Sequence, residues 1–436
     1  MQSKIRIRLL ERRKGMLDLI LKVLKDNNIN EYIINENKEE IFELYMIKKA
    51  VDMNRKKNIT IYTVTVLRDN GNEFKGSSVV KIYPSMDEDE ISTVLKDAYY
   101  AASFVKNKSY NLPVGYNGEK VYDKSSLANM ELEEIAYKAK DALYKYDDFE
   151  HGCINSSEIF ASRVNTRIIT SNNVDAAYEK YKISGEFVTQ WVENSDVEIF
   201  NMFSYDDLKE EELSLMGKEA IINAGYRDRS KDAPETGEYD VILCGSSVHE
   251  FFGYYLANSR TDMIYQKYSN FRLGENVQGT DIKGDKVNIT LKSSVPFSNE
   301  GIVLKDTKLI EDGVLKAIHG PYNFAQYLGI EPIGSFDGAV IQGGSTSEKD
   351  MFSDGTLKII RFSDFQMDEV TGDCFGEIRL SLLKKGDKII PLTGGSVTIN
   401  INDVKENMTF SKETQDDRGV IIPKCIKFKN VNIAGK

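Results

Sequence analysis

His249 and Glu250 are the pair of residues in this sequence whose types and spacing could carry out hydrolytic chemistry. In many zinc peptidases a histidine at the start of a helix binds the metal, and the glutamate beside it takes a proton from the bound water. Such a helix supplies a second ligand on the same face, normally four residues later. Here that position is Gly253, which has no side chain, and the next residue is Tyr254. The sequence therefore contains half of a metal-binding motif.

The same residues also fit a purely structural role. Ser247-Val248-His249-Glu250 has the spacing of a capping box. In that arrangement Ser247 accepts a hydrogen bond from a backbone amide and Glu250 reaches back to the cap. A carboxylate in the first turn is also favoured by the helix dipole. Spacing alone favours this structural role over metal binding.

The segment 237–265, GEYDVILCGSSVHEFFGYYLANSRTDMIY, must position the pair. Its pattern predicts a buried strand from Tyr239 to Leu243, a tight turn at Gly245-Ser246, and a helix with His249 and Glu250 in its first turn. We expect the rest of the chain to be organised around this segment.

Length and composition limit the possible classes of protein. The chain has 436 residues, is 41% hydrophobic and carries a net charge of −11, which indicates a globular protein of two or three domains and disfavours binding to nucleic acid. No membrane span or signal peptide is predicted, so we expect a cytoplasmic location. Four scattered cysteines without a CxxC pair fit a reducing compartment, and three histidines nearly exclude a histidine-rich metal site.

The periodicity of the apolar residues predicts an α+β fold. We expect an N-terminal α+β domain over 1–110, a middle domain of a β-meander plus helices over 111–234, and a largely antiparallel β domain with one central helix over 235–436. The predicted helices are 14–26, 87–105, 132–146 and 208–224, and the predicted turns are 69–72, 171–173 and 193–195. The basic first fourteen residues are interpreted as the solvated flank of the first helix, with a membrane-surface or nucleic-acid arm as the alternative.

Several stretches together resemble the TldD/PmbA family. They are VTVLRDNGNEFKGSS, SGEFVTQWVENSDVEIF, GEYDVILCGSSVHEFFGYYLA, KLIEDGVLKAIHGPYNFAQYLGIEP and TGDCFGEIRLSLLKKGDKIIPLTGGSVTININDV, with the terminal VNIAG. The resemblance implies a cytoplasmic metalloprotease system in which two related chains, TldD and TldE (also called PmbA), form a heterodimer that degrades unstructured peptides and matures peptide antibiotics. It further implies that the TldD-type chain holds zinc with an HExxxH helix and a cysteine near the C-terminus, whereas the PmbA-type chain lacks these ligands.

The resemblance can be carried over to individual residues. His249 and Glu250 match the first two motif positions, Tyr254 stands where the second histidine is expected, and segment 415–420 has no cysteine. The chain is therefore identified as a PmbA/TldE-like subunit without a cofactor of its own, and zinc is expected in its partner. Glu250 would be a catalytic remnant, while His249 and Tyr254 would bind substrate peptide; if the chain held any metal, His249 would be a ligand. The expected partner is a TldD-like chain or a second copy.

Two other functions remain open at this point. In the first, the chain is an autonomous zinc metallopeptidase, in which His249 and Tyr254 bind metal with Cys374, Cys425 or an aspartate of segment 415–417, and Glu250 is the base. In the second, the chain binds nucleic acid, which the charge of −11 disfavours. Otherwise Cys374 and Cys425 are predicted to be buried small side chains, and His319 is predicted to be a loop residue bonded to backbone.

Overall fold

The computed structural model describes residues 15–71 and 73–436. The basic segment 1–14 lies outside these residues, so its predicted role stays a prediction. The fold is α+β, as the periodicity predicted, with antiparallel sheets and a β-rich C-terminal region. None of the described helices has the length and apolar character needed to cross a membrane.

The N-terminal half of the chain forms one seven-stranded antiparallel sheet in the order β4-β3-β2-β1-β5-β6-β7. The predicted turns at 171–173 and 193–195 are confirmed, and so is the hairpin between β2 and β3, although Asn72 within it lies outside the described residues. The strands are β1 Glu31–Ile47, β2 Ala50–Asp69, β3 Phe74–Ile82, β4 Asn107–Lys108, β5 Gly152–Thr170, β6 Asp175–Val192 and β7 Asp196–Tyr205.

The sheet joins the two segments that were predicted as separate N-terminal and middle domains, because β1 pairs with β5 along most of its length. The predicted domain boundaries are not tested by this pairing and remain predictions. The apolar pattern predicts two strand-like runs, 31–37 and 40–50, and both belong mainly to the single long strand β1.

The first four helices pack on one face of this sheet. They are α1 (residues 15–26), α2 Glu88–Ala102, α3 Leu132–Leu143 and α4 Glu210–Arg229. Ile34 packs with the cluster of α1 and α2, whereas Phe42 and Leu44 pack with that of α3 and α4. Alternate residues of a strand point to the same side, so both helix pairs cover one face. Side chains at the alternate, odd-numbered positions of β1, such as Tyr45, lie on the opposite face.

The C-terminal region contains two further sheets, a six-stranded sheet in the order β11-β10-β9-β12-β19-β18 and a seven-stranded sheet built on β13-β8-β20-β16-β14-β15. Most pairs are antiparallel, as predicted, with parallel pairs at β12–β19 and β8–β13. The strands are β8 Gly237–Cys244, β9 Ile289–Lys292, β10 Thr307–Glu311, β11 Val314–Leu315, β12 Gly338–Ile341, β13 Leu357–Met367, β14 Asp373–Lys385, β15 Lys388–Leu392, β16 Ser396–Asn400, β17 Thr409–Phe410, β18 Thr414–Asp417, β19 Val420–Pro423 and β20 Cys425–Ala434.

The helix α5, Ser246–Asn258, lies in the core that these two sheets share. Its side chains Val248, Phe251, Phe252 and Tyr255 are fully buried and pack with strands of both sheets. The prediction of one central helix is therefore confirmed. Shorter helices lie around the periphery: α6 Thr261–Tyr265, α7 Tyr322–Leu328, α8 Glu348–Met351 and α9 Ile401–Val404.

Candidate functional site

The candidate site is built at the junction of β8 and α5. Gly245 ends the strand and caps the helix with φ 66° and ψ −139°, a conformation that is open to glycine and strained for other residues. The helix therefore starts at Ser246, two residues earlier than the capping-box pattern required. Ser247 lies inside the helix, where its hydroxyl donates to the Cys244 carbonyl at 2.8 Å. The predicted capping box at Ser247 is wrong, because the glycine turn replaces it.

His249 is held by a carboxylate from a distant part of the sequence. Its Nδ1 lies 2.7 Å from Oδ2 of Asp417, the last residue of β18. Arg418 donates to the same oxygen at 3.0 Å. Burial raises the pKa of the Asp417 carboxyl, but the hydrogen bonds from His249 and Arg418 outweigh burial, and its pKa is held below the usual value. Asp417 is therefore ionised and fixes the orientation of the imidazole.

The hairpin that carries Asp417 is tied to the first sheet and its helices. Asp416 accepts a hydrogen bond from Lys209 at 2.8 Å, and its backbone amide donates to Glu212 at 3.2 Å. Nearby, Arg361 of β13 donates to Asn201 of β7, and burial lowers the pKa of its guanidinium while the charge of Asp417 raises it. The His249–Asp417 pair therefore sits where the two halves of the molecule meet.

Glu250 points to a different place from His249. It is exposed and lines a cavity of about 220 Å³ together with Cys244, Ser246, Arg361 and several neighbours on β13, namely Phe362, Ser363, Asp364 and Phe365. Consecutive helical residues are about 100° apart around the axis, so adjacent side chains need not share a partner. The structure therefore separates the predicted base from the predicted metal-binding histidine.

Tyr254 also turns away from His249. Its ring packs against Phe271 at 5.8 Å and Tyr255 at 5.4 Å between centroids, and it closely approaches Gly372. In a regular helix the fifth residue along lies about 140° around the axis, which is why Tyr254 joins an aromatic cluster. Its role in binding substrate stays a prediction.

The position four residues after His249 faces another carboxylate. The Oε1 atom of Glu369 lies 3.8 Å from where a Cβ on Gly253 would stand. Burial raises the pKa of Glu369 and the charge of Glu250 raises it further, while Arg260 lowers it, with a net upward shift. The space beside Gly253 is thus close to the carboxylate of Glu369, whose pKa is in turn affected by Glu250.

The cysteines proposed as alternative ligands lie elsewhere. Cys374 is fully buried, and its thiol contacts the Met367 sulfur at 2.9 Å. Cys425 is 1% exposed and contacts Cys244. The prediction that Cys374 and Cys425 are buried small side chains is confirmed. Of the ligands named for an autonomous metallopeptidase, Asp417 is found beside His249, whereas Tyr254 turns away.

Zinc does not fit the site. A structural zinc ion takes four protein ligands and a catalytic one takes three, whereas here His249 and Asp417 are joined to each other and α5 adds no third donor. Across residues 15–71 and 73–436, no group of three or more His, Cys, Asp or Glu side chains could hold a metal ion. The donor set is that of an oriented histidine–carboxylate pair.

Sequence reasoning reached only part of this site. Asp417 was one of the aspartates in segment 415–417 proposed as an alternative metal ligand, but its bond to His249 was not predicted. Arg361 was missed altogether. The strand pattern LKIIRFSDF contains one arginine among mostly apolar residues. A charged residue in a strand that is expected to be buried was the signal that could have identified Arg361.

A double-mutant cycle tests the His249–Asp417 bond. We expect His249→Gln and Asp417→Asn to show a coupling free energy of about 1–2 kcal/mol in urea unfolding, because the bond is charge-assisted and largely shielded from water. The matched control pairs His249→Gln with Asp354→Asn, an exposed aspartate elsewhere in the domain. Additive effects of the first pair would contradict the proposed bond.

Comparison with known proteins identifies the C-terminal region. Residues 236–435 match the family of the PmbA/TldA metallopeptidase C-terminal domain. This range contains β8, α5 and the hairpin that carries Asp417. No curated protein matches the chain in sequence.

Solved structures share the fold along nearly the whole chain. TldE from Thermococcus kodakarensis matches with a TM-score of 0.78 and 15% identity, covering 97% of this chain and 100% of that one. A candidate modulator of a DNA gyrase from Thermotoga maritima matches with a TM-score of 0.74 and 15% identity over 97% and 100%. A candidate modulator of DNA gyrase from Bacteroides thetaiotaomicron matches with 0.74 and 16% over 96% and 98%. At these identities the likeness shows a common fold.

Proposed function

We propose that this chain, whose residues 236–435 match the PmbA/TldA metallopeptidase C-terminal domain, is a non-catalytic subunit of TldE type in the TldD/PmbA family. It would bind unstructured peptides and pair with a zinc-bearing TldD-like chain. The observation that carries the proposal is the bond between His249 and Asp417. It engages only Nδ1 of His249, and no group of three or more metal-binding side chains is assembled in the part of the chain that the structure describes. Peptide hydrolysis would then depend on zinc held by the partner.

The residues of α5 support binding without cleavage. Gly253 offers no ligand, and Tyr254 packs into an aromatic cluster. Glu250 and Asp364 line the cavity beside Arg361, so a peptide backbone or side chain entering there would meet two acidic groups and one basic group. These groups can hold a peptide by hydrogen bonds, and none of them requires a metal to do so.

Extended peptides could also add to an edge of the first sheet. Within the meander at 154–204, β5 and β6 are each paired on both sides. The edge strand of this segment is β7, and Arg379 already donates to its Glu198 carbonyl at 2.9 Å. Strand addition in this segment is therefore limited to the remaining length of β7. The cavity beside Glu250 is the better candidate for the first contact with a peptide.

Zinc content tests the proposal directly. We expect the purified, tag-free chain to retain far less than one zinc per molecule after incubation with zinc and desalting, because His249 and Asp417 together supply fewer than the three protein ligands of a catalytic zinc site. The measurement is elemental mass spectrometry, with a zinc-binding protein of similar size as the positive control. Close to one zinc per chain would overturn the non-catalytic assignment.

Activity distinguishes this function from an autonomous metallopeptidase. The isolated chain should not hydrolyse an unfolded casein-type peptide, with or without added zinc. If it does, Glu250→Gln and His249→Ala identify the cause, since both variants abolish turnover only if these residues carry the chemistry. Co-purification from cells that express a TldD-like chain then tests the pairing, and recovery of this chain only with itself favours the homodimer.

A further inference from the structure

Two cysteine thiols face each other across neighbouring strands, in a small cluster with Met351 of α8. The Sγ atoms of Cys244, the last residue of β8, and Cys425, the first residue of β20, are 3.0 Å apart. The two residues are separated by most of the C-terminal domain in sequence, but the antiparallel pairing of β8 with β20 places them directly opposite each other. None of the roles discussed so far uses this pair.

The backbone pairing brings the two thiols within reach of a disulfide. The Cys425 amide donates to the Ser411 hydroxyl, and the Cys425 carbonyl accepts from the Ser411 amide, both at 3.0 Å. Both backbone groups of Cys425 therefore point away from Cys244, which makes the two cysteines a non-hydrogen-bonded pair. In such pairs the Cα atoms are about 4.5 Å apart, and disulfides span Cα separations from about 4.4 Å.

The two thiols differ in their access to solvent. Cys425 is 1% exposed, whereas Cys244 is partly exposed and lines the cavity of about 220 Å³. The hydrogen bond to Cys244 and burial raise the pKa of the Cys425 thiol, so Cys425 stays protonated. Cys244 is therefore the thiol that can react first with a molecule from solution.

A buried cation lies beside the pair. Burial lowers the pKa of Lys358, but Cys244, Cys425 and Glu348 outweigh burial and raise it, so Lys358 stays charged. It also donates to Glu348 at 2.5 Å. A charged ammonium near a thiol favours the thiolate, which is the nucleophilic form.

We propose that Cys244 and Cys425 form an oxidisable dithiol that exchanges with low-molecular-weight disulfides. The Cys244 thiolate attacks one sulfur of the small disulfide, forms a mixed disulfide and releases one thiolate. The Cys425 thiol then loses its proton and attacks Cys244 Sγ, which releases the second thiolate. The protein loses two electrons and two protons, and the small disulfide is reduced to two thiols.

Oxidation would covalently link the two strands next to the candidate site, β8 and β20. Cys244 adjoins Gly245, the cap of α5, and Cys425 follows the β18–β19 hairpin that carries Asp417. The disulfide would therefore tie the helix of His249 to the strand that follows its carboxylate partner. Because it closes a long loop, it would also stabilise the folded chain. This inference does not depend on whether the chain binds peptide or zinc.

The test uses the reduced full chain and glutathione disulfide as the probe. After incubation, the free thiols are alkylated under denaturing conditions and mapped by peptide mass spectrometry. We expect the loss of two of the four free thiols and the appearance of one Cys244–Cys425 cross-linked peptide. The melting temperature should rise by several degrees, and a reductant should return it to its original value. A cross-link that involves Cys374, or complete retention of all four thiols, would overturn the proposal.

Variants of each thiol fix the order of the steps. Cys425→Ser should trap glutathione on Cys244 as a lasting mixed disulfide, because the resolving thiol is gone, and Cys244→Ser should abolish the reaction at Cys425. Cys374→Ser, a buried cysteine outside the pair, serves as the control and should react like the parent chain. If Cys425→Ser takes up no glutathione while its melting temperature matches the parent, Cys244 is not the attacking thiol and the proposal is wrong.

Discussion

Replacing Phe252 with alanine is expected to lower the free energy of unfolding by about 3–5 kcal/mol, the range measured for removal of a fully buried aromatic side chain. Phe252 is 0% exposed, and its ring lies 5.5 Å from that of Phe410 and 5.9 Å from that of Phe251. It lies on α5 between the two C-terminal sheets. The cavity left by the ring would loosen the helix that carries His249 and Glu250.

The control for this variant is Phe200→Ala. Phe200 lies on β7 and is 50% exposed, so its removal should change stability by less than about 0.5 kcal/mol. The measurement is the urea unfolding transition of the full chain for both variants. A loss below about 1 kcal/mol for Phe252→Ala would show that α5 is not anchored through this ring.

Acidification is expected to destabilise the fold by about 3 kcal/mol through His319 alone. His319 is 5% exposed, its Nε2 donates to the Leu256 carbonyl at 3.2 Å, and its Nδ1 has no hydrogen-bond partner among the described residues. Burial lowers the pKa of its imidazole from 6.5 to about 4. Protonation would bury an additional N–H group with no acceptor.

The sign of this effect follows from which state binds the proton first. The unfolded chain takes up the proton near pH 6.5 and the folded chain only near pH 4, so acid favours unfolding. The stability from neutral His319 is complete above pH 6.5 and is lost progressively as the pH falls to 4. The difference between the parent chain and His319→Gln in urea unfolding at pH 7 and pH 4 isolates this contribution, since the other titrating groups are shared.

His151 provides the matched control, because it is exposed. His151→Gln should leave the difference in stability between pH 7 and pH 4 unchanged. If His319→Gln shows the same pH dependence as the parent chain, His319 is protonated in the folded state at pH 4 and the structure has its environment wrong. The sequence-based prediction that His319 bonds to backbone is confirmed by its contact with Leu256.

Local patterns predicted most of the elements. The helices at α1 to α4 follow from apolar residues at helical spacing, and α2 begins with the capping box of Asp87 and Glu90. The turn between β14 and β15 is likewise local, because Gly386 takes φ 58° there. These features depend on residues close together in the chain, and local energetics can be read from local sequence.

Local pattern failed at the start of α5. Ser247 and Glu250 have capping-box spacing, but Gly245 supplies the turn and Ser247 becomes a buried helical residue that bonds to Cys244. Packing of Val248, Phe251 and Phe252 into the core fixes where the helix begins. Tertiary contacts therefore overrode a valid local signal.

The sequence by itself determined the fold class, the central helix and the absence of a second metal ligand at Gly253, because each depends on residue type and on spacing within one element. Only the tertiary structure decided which groups meet: His249 with Asp417, Glu250 with the cavity beside Arg361, and Cys244 with Cys425. These partners lie on strands far apart in the chain, and a shift of strand register by one residue would turn each side chain to the opposite face. Register is set by the packing of the whole domain, and no local stretch of sequence contains it.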